Sequence, residues 1–316
     1  LWQDIGSIAA AGKRRKKPWG VAPKIGQEFA ARDSPRPAER QPSAGITLVG
    51  VDVIYGIHAV DEALKSRGRG FEYVGVARER HDQRVQRIID ECRRLGVAVR
   101  FVSRQDIERL AGTASHQGVV AVASAKTYAD VEDILQHRRG HNTLVVVLDG
   151  VEDPHNLGAI IRSADGAGAD GVLIPERRAA GVTAAVAKAS AGAVEHVPVA
   201  KITNVARTLE ELKSRNVWTV GLDERAPQAY DELDYKMDCA LVLGAEGKGL
   251  HELVRKKCDF LVSIPMLGRV PSLNVSVAGA VVLYEIARQR RRAAADKAAA
   301  LNDREGRRVP KSSEPE

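Results

Sequence analysis

The region from Thr143 to Ile264 constrains the fold more than any other part of the chain. Short apolar runs at Thr143–Leu148, Gly171–Ile174, Val194–Val199, Val217–Leu222, Cys239–Leu243 and Phe260–Ile264 alternate with stretches of helical spacing at Leu157–Ala167, Thr183–Ser190, Asn204–Ser214 and Leu250–Lys257. Runs that stay apolar on successive residues suit strands buried on both faces. Strands separated by helices call for parallel pairing through right-handed crossovers. The expectation is an α/β fold with a doubly wound parallel sheet. A second, smaller α/β unit precedes it. Strands are expected at Val74–Ala77, Val97–Val102 and Val119–Ala123, with helices after Tyr55, at Val85–Leu95 and at Gln105–Leu110.

These patterns divide the 316 residues into an arm (1–45), a small α/β domain (46–125), a linker (126–142), a large domain (143–292) and a charged tail (293–316). The arm carries Lys13-Arg-Arg-Lys-Lys17 and several prolines without periodicity, the composition of a disordered segment. The tail is expected to continue the last helix and then fray. The formal net charge of +7 is uneven: residues 1–50 contribute +5 and residues 287–316 contribute +4, leaving the middle at −2. Basic ends suit contact with a phosphate backbone, or serve only as solvated tails. No apolar run is long enough to span a bilayer. Cys92, Cys239 and Cys258 have no metal-ligand spacing, so neither zinc nor a disulfide framework is indicated and a reducing, cytoplasmic setting is the default. His137 and His141 lie four apart, but Gly140 intervenes and a third ligand is missing; the reading is no metal.

Two joints in the large domain are unusual. Gly244-Ala-Glu-Gly-Lys-Gly249 follows an apolar strand, yet it lacks the hydroxyl of a P-loop and the spacing of a dinucleotide fingerprint. It is either a tight turn or a place where something approaches the backbone closely, and Glu246 inside it needs partners. From Ile264 the chain passes through Pro265, Gly268 and Pro271 into a helix whose apolar positions are Val275, Ala278, Val282, Leu283 and Ile286. Ser272 and Asn274 stand at its entrance. Ser272 reads as an N-cap, or loop and helix start together form a ligand cradle. Arg288, Arg290, Arg291 and Arg292 are assigned to the last turn of this helix, where cations are favoured.

Three stretches together, Asn156-Leu-Gly-Ala-Ile-Ile-Arg162-Ser-Ala164, Leu241-Val-Leu-Gly-Ala-Glu-Gly-Lys-Gly249 and the Ile264–Arg290 segment, resemble the ordered signatures of the SpoU–TrmH family of RNA ribose methyltransferases, most closely its RlmB branch. The resemblance covers about residues 143–292, and a weaker one to the family's small N-terminal domain covers about 52–125. It implies a C-terminal trefoil knot of the SPOUT type, which pattern alone would not forecast because knots are rare. It also implies S-adenosylmethionine as cofactor, held by Leu243, Gly244, Gly249, Ile264, Met266 and Leu273. RNA would be the partner, bound in part by the small domain, and the family's members are homodimers that pack through the knotted domain. His58 and His116 in the small domain are either hydrogen-bonded turn residues or RNA contacts.

By the same resemblance the catalytic residues are Arg162, Asn156, Glu246, Ser272 and Asn274. The reaction would move a methyl group from a sulfonium to a ribose 2′-hydroxyl, with a guanosine of large-subunit ribosomal RNA as the target and transfer RNA as the alternative. A guanidinium keeps its proton at neutral pH, so the role that fits Arg162 is electrostatic stabilisation and phosphate anchoring, with Glu246, Ser272 and Asn274 organising the site. A non-catalytic RNA-binding or ribosome-assembly factor on the same fold is the competing reading.

Overall fold

The computed structural model describes residues 50–140 and 142–306. The arm, His141 and the final ten residues of the tail lie outside the described residues, and with them the expectations for the arm and for a His137–His141 pair. The small unit runs β1 (Val51–Tyr55), α1 (Ile57–Ser66), β2 (Phe71–Ala77), α2 (Gln83–Leu95), β3 (Val99–Val102), α3 (Arg104–Ala111) and β4 (Val119–Ser124). Its strands lie in the order β1-β4-β2-β3. Strand β4 is antiparallel to both β1 and β2, and only β2 and β3 are parallel. Helix α2 has both ends specified locally: the Asp82 carboxylate accepts from the Arg84 and Val85 amides, and Gly96 takes the left-handed conformation that closes it. Helix α1 has no cap of its own. The Gln117 side chain supplies one, its Oε1 accepting from the Ile57 amide at 3.0 Å. His116 is fully buried beside it and its Nδ1 accepts from the Gly118 amide, so it is a turn residue; burial holds its pKa below the ordinary histidine value.

The larger unit follows α4 (Val131–Gln136) with β5 (Leu144–Asp149), α5 (Pro154–Gly166), β6 (Gly171–Pro175), α6 (Ala184–Ala189), a 3-10 turn (Ala193–Glu195), β7 (Val199–Ile202), α7 (Val205–Ser214), β8 (Trp218–Leu222), β9 (Gln228–Ala229), β10 (Cys239–Gly244), α8 (Glu252–Lys257), β11 (Phe260–Ser263) and α9 (Val275–Gly306). The strands form one sheet in the order β7-β6-β5-β10-β8-β11-β9, parallel at every pairing. Both faces are covered. Leu144, Val146 and Leu148 of β5 pack with Leu157 and Ile161 of α5 and with Val282 and Ile286 of α9. Val145 and Val147 point the other way, into a core with Ile134 of α4 and Leu209 and Leu212 of α7. This alternation on one strand is the physical content of a doubly wound sheet: each side chain removed from water contributes about 1.5–3 kcal/mol, on whichever face it lies.

Two local expectations are corrected. Val194–Val199 is not a strand. Gly192, at φ +88°, opens a 3-10 turn, and pairing begins only at Val199, after Pro198, which has no amide to donate. Val194 and Val197 are fully buried all the same, so their apolar character records burial rather than extension. Nor do the arginines close the last helix, which continues to Gly306. Arg290 turns back to the foot of the sheet, donating to the carbonyls of Asn142, Thr143, Tyr235 and Met237 just ahead of β5 and β10.

A buried ion cluster joins the small sheet to the large one. Arg69, its side chain 2% exposed, sits between Asp52 at 2.7 Å and Glu195 at 2.9 Å, and the Glu195 side chain is 1% exposed. Lys126 lies 3.4 Å from the same carboxylate. Arg69 also donates to the Ser124 carbonyl, so its fork is largely satisfied. Burying such charges is worthwhile only while all of them stay paired. Arg69→Ala is therefore expected to lower unfolding free energy by about 3–5 kcal/mol in urea titrations, against at most about 1 kcal/mol for cutting an exposed pair such as Arg93–Asp90. Equal, small losses for both would show that the cluster does not hold the two sheets together.

Candidate active site

The C-terminal ends of neighbouring parallel strands are where loops can converge on a ligand. Here β10 lies between β5 and β8, with β11 beyond, and the loops leaving β8, β10 and β11 enclose a cavity of about 540 Å³. That is within the usual range for a small-molecule site. Leu243, Gly244, Gly249, Ile264, Met266 and Leu273 all line it, as do Glu246, Ser272 and Asn274.

The loop after β10 is a closed turn. Ala245 and Gly249 exchange backbone hydrogen bonds at 3.0 and 2.8 Å, and Gly247 and Gly249 take φ values of +71° and +67°. Gly244 has a different reason to be glycine: a Cβ there would lie 2.2 Å from the Gly249 carbonyl carbon and 2.4 Å from the Leu250 nitrogen, both backbone atoms that cannot yield. The turn therefore folds back on the strand end, leaving Glu246 exposed on the cavity wall. Asp149, buried at the end of β5, clamps the far side of the turn by accepting from the His251 amide and pairing with His251 Nδ1 at 2.8 and 3.0 Å.

Asn274 joins the loops. Its Nδ2 donates to Asn156 Oδ1 at 3.0 Å and to Glu246 Oε1 at 2.5 Å. Its Oδ1 accepts from the Ser276 and Val277 amides, and its carbonyl accepts from the Ala278 amide. Asn274, not Ser272, is thus the N-cap of α9. Ser272 lies two residues before that cap and lines the cavity instead. Asn156, 6% exposed, reaches this network from the first turn of α5 but is not part of the cavity wall.

Arg162 is not brought to the same place. Six residues along α5 turn it about a third of a revolution away from Asn156. It is exposed, and among the described residues its side chain has no ion-pair or hydrogen-bond partner. Conversely, Leu222, Asp223, Glu224 and Arg225 line the cavity although no motif marked them. Burial works against the Asp223 carboxylate, but the Arg225 amide and the Arg255 guanidinium hold its pKa below the ordinary range, which pins this loop in place. A readable signal existed: Val217–Leu222 is a strand, and the residues after a strand of a parallel sheet belong to its functional edge. Neither Cys239 nor Cys258 lines the cavity, and burial pushes their thiols up, to about 11 and about 12.

The cavity has an apolar floor of Leu243, Ile264, Val275 and Ala278, and its wall carries both signs of charge, Asp223, Glu224 and Glu246 beside Arg225 and Lys248, which suits a ligand that combines a flat apolar face with charged groups. Comparison with known proteins agrees with that chemistry. Residues 143–284 match the SpoU rRNA methylase family, and residues 53–129 match the RNA 2′-O ribose methyltransferase substrate-binding family. A putative TrmH family tRNA/rRNA methyltransferase of Bacillus subtilis is 44% identical over 241 residues, covering 76% of this chain and 96% of that protein. The chain belongs to the SpoU rRNA methylase family. A 23S rRNA (guanosine-2′-O-)-methyltransferase, RlmB of Bordetella pertussis, is 43% identical over 244 residues, 77% of this chain and 99% of its own length. Among solved structures, the SpoU methyltransferase AviRb of Streptomyces viridochromogenes in complex with AdoMet superposes with a TM-score of 0.64 at 26% identity, over 76% of this chain and 91% of that one.

In this SpoU-family site the two ends of the Asn274 amide do separable jobs, which two substitutions isolate. Asn274→Ala loses both the cap and the donor and is expected to cost about 1–2 kcal/mol of stability. Asn274→Asp keeps an acceptor for the helix but sets a carboxylate against Glu246. It should melt closer to wild type than the alanine variant at high salt, where repulsion between the two carboxylates is screened, and lose that advantage at low salt. Identical melting curves for the two variants at both salt concentrations would show that the bond to Glu246 does not matter.

Proposed function

We propose that this chain methylates the 2′-hydroxyl of a ribose in RNA, with S-adenosylmethionine as the methyl donor and a guanosine of large-subunit ribosomal RNA as the target. The observation that carries the reading is the convergence of Leu243, Gly244, Gly249, Ile264, Met266 and Leu273 on one cavity, with the Asn156–Asn274–Glu246 chain at its edge. The residues fit the cofactor. The apolar floor accepts an adenine face, backbone groups of the glycine turn are open to its edge, and Glu246 favours a nearby cation. When bound, S-adenosylmethionine supplies a methyl group activated by the sulfonium. The chain's own part is positional: Asn274 fixes the Glu246 carboxylate, Asn156 fixes Asn274, and Ser272 offers a hydroxyl to the substrate side. A ribose hydroxyl is a poor nucleophile, so charge developing on its oxygen needs a cation. Arg162 is the residue for that role.

Because Arg162 is exposed and does not line its own cavity, the reading includes a homodimer in which each Arg162 serves the partner's site. Val277 and Tyr284 support it, since they are 49% and 56% exposed on the helix that packs against α5, where Tyr284 crosses Gly166. The reading also includes the knot, with α9 returning past the loop that precedes β10, and RNA contact by the small sheet unit. A cytoplasmic location follows from a ribosomal RNA substrate; among the described residues no helix is long and apolar enough to cross a membrane.

Ribose-methylation mapping of ribosomal RNA from cells with and without the gene is expected to show one nucleotide lost. Unchanged maps, with no S-adenosylmethionine binding by isothermal titration, would favour a non-catalytic RNA-binding factor. Arg162→Ala should reduce turnover by a factor on the order of 10² or more while cofactor affinity stays within about threefold. Mixing inactive Arg162→Ala and Glu246→Ala chains should restore roughly a quarter of wild-type activity, because random exchange gives half heterodimers with one complete site each. No recovery after verified exchange would place Arg162 in its own subunit's chemistry.

A further inference from the structure

The loop between β6 and α6 is not part of any motif above, yet it lies on the same sheet edge as the site. It contains Arg177 and Arg178, both exposed. Some exposed arginines of this chain are neutralised locally, Arg93, Arg94, Arg109 and Arg207 each pairing with a carboxylate three or four residues away, whereas others, Arg67, Arg84 and Arg162 among them, have no ion-pair partner among the described residues. Among the described residues Arg177 and Arg178 have no such partner, although Glu176, Glu152 and Asp153 are nearby in sequence or across the loop contact.

The loop is held at three points. The Glu176 amide donates to the Ile202 carbonyl at 2.9 Å. The Ala180 amide donates to the Val151 carbonyl at 3.0 Å, inside the turn that leads to Asn156. The Val182 amide donates to the Tyr128 hydroxyl at 3.0 Å, in the segment that leaves the small sheet. The loop thus bridges the exit of the small sheet and the first loop of the site. Arg178 sits between these anchors at φ +55°, a conformation in which a side chain is disfavoured and glycine is at ease. Arginine at this position carries a backbone cost that glycine would not. Two guanidiniums on a pinned loop, neither of them paired with a carboxylate, are free to bind phosphate through paired N–H donors.

We infer that Arg177 and Arg178 grip the phosphate backbone of the RNA strand where it passes from the small sheet unit to the methyl-transfer cavity. The inference rests on RNA as substrate, and it places a contact outside residues 53–129, which match the substrate-binding family. The contact reads backbone and not sequence, so it contributes affinity and salt dependence.

The test is RNA binding without cofactor, using an in vitro transcript of large-subunit ribosomal RNA titrated at several salt concentrations, alongside cofactor titration and melting. Arg177→Ala/Arg178→Ala is expected to weaken RNA binding about tenfold and to flatten the plot of log K against log salt by about 1–2, with S-adenosylmethionine affinity unchanged. Arg178→Gly should weaken RNA binding while leaving the melting temperature equal or higher, because glycine relieves the backbone. Unchanged RNA affinity and salt slope in the double variant would overturn the inference, as would a lower melting temperature with normal RNA binding in Arg178→Gly. Failure is separable from failure of the proposed activity: a wild-type chain that methylates its RNA while the double variant binds normally sinks only this contact. One that binds RNA through these arginines without methylating it sinks only the activity.

Discussion

The site depends on a single amide. Asn274 presents a donor and an acceptor from one planar group, and the structure uses both: Nδ2 towards Asn156 and Glu246, Oδ1 towards the free amides that begin α9. Neither serine nor aspartate can do both, since one has too few atoms to span the loops and the other has no N–H to give. The helix start is an unsatisfied set of donors wherever it occurs. Here the group that satisfies it also fixes the position of a carboxylate from another loop and an amide from a third. The orientation of the cavity wall is therefore tied to the registry of α9 on the sheet.

That registry is secured far from the cavity. Val282 and Ile286 bury α9 against β5 and α5, and Arg290 binds carbonyls at the opposite, N-terminal end of the sheet. Sliding α9 by one residue, about 1.5 Å, would break the Arg290 contacts at one end and the Asn274 contacts at the other. A long helix fixed at two points transmits the position of the sheet's foot to its functional edge without needing a rigid loop between Ile264 and Asn274. Leu267 and Val270 in that loop are accordingly free to be exposed.

What could be read from the sequence follows from how local each cause is. The β5 and β10 strands are legible because a strand covered on both faces must be apolar at every position. The glycine turn is legible because left-handed backbone at Gly247 and Gly249 demands it. The same rule misleads at Val194–Val197, where burial comes from a 3-10 turn. Ser272 and Asn274 are equivalent cap residues by type, and only the tertiary bonds to Asn156 and Glu246 distinguish them. Arg290 looks like a residue balancing a helix end because nothing nearby announces the carbonyls it meets. Arg69 and Glu195 lie 126 residues apart, so no window of sequence contains the pair. The 222–225 wall is missed for a related reason: its residues are ordinary, and their place in the site comes from β8 lying next to β10.

The position of Arg162 is the point at which fold and chemistry make opposite demands. An arginine directed into its own chain's cavity would have to leave the exposed face of α5 and enter the face that Leu157 and Ile161 fill with apolar core. Burying a guanidinium there without a carboxylate would cost several kcal/mol. On the exposed face it costs nothing, but it is then off the wall of its own cavity. The proposed homodimer would resolve the conflict, because the cation would stay in water until an interface formed and brought it to a cavity that already has its carboxylate and amides in place. In that proposal the exposed Val277 and Tyr284 have a use, since an interface formed on this side of α9 and α5 would cover them and carry Arg162 towards the partner's cavity.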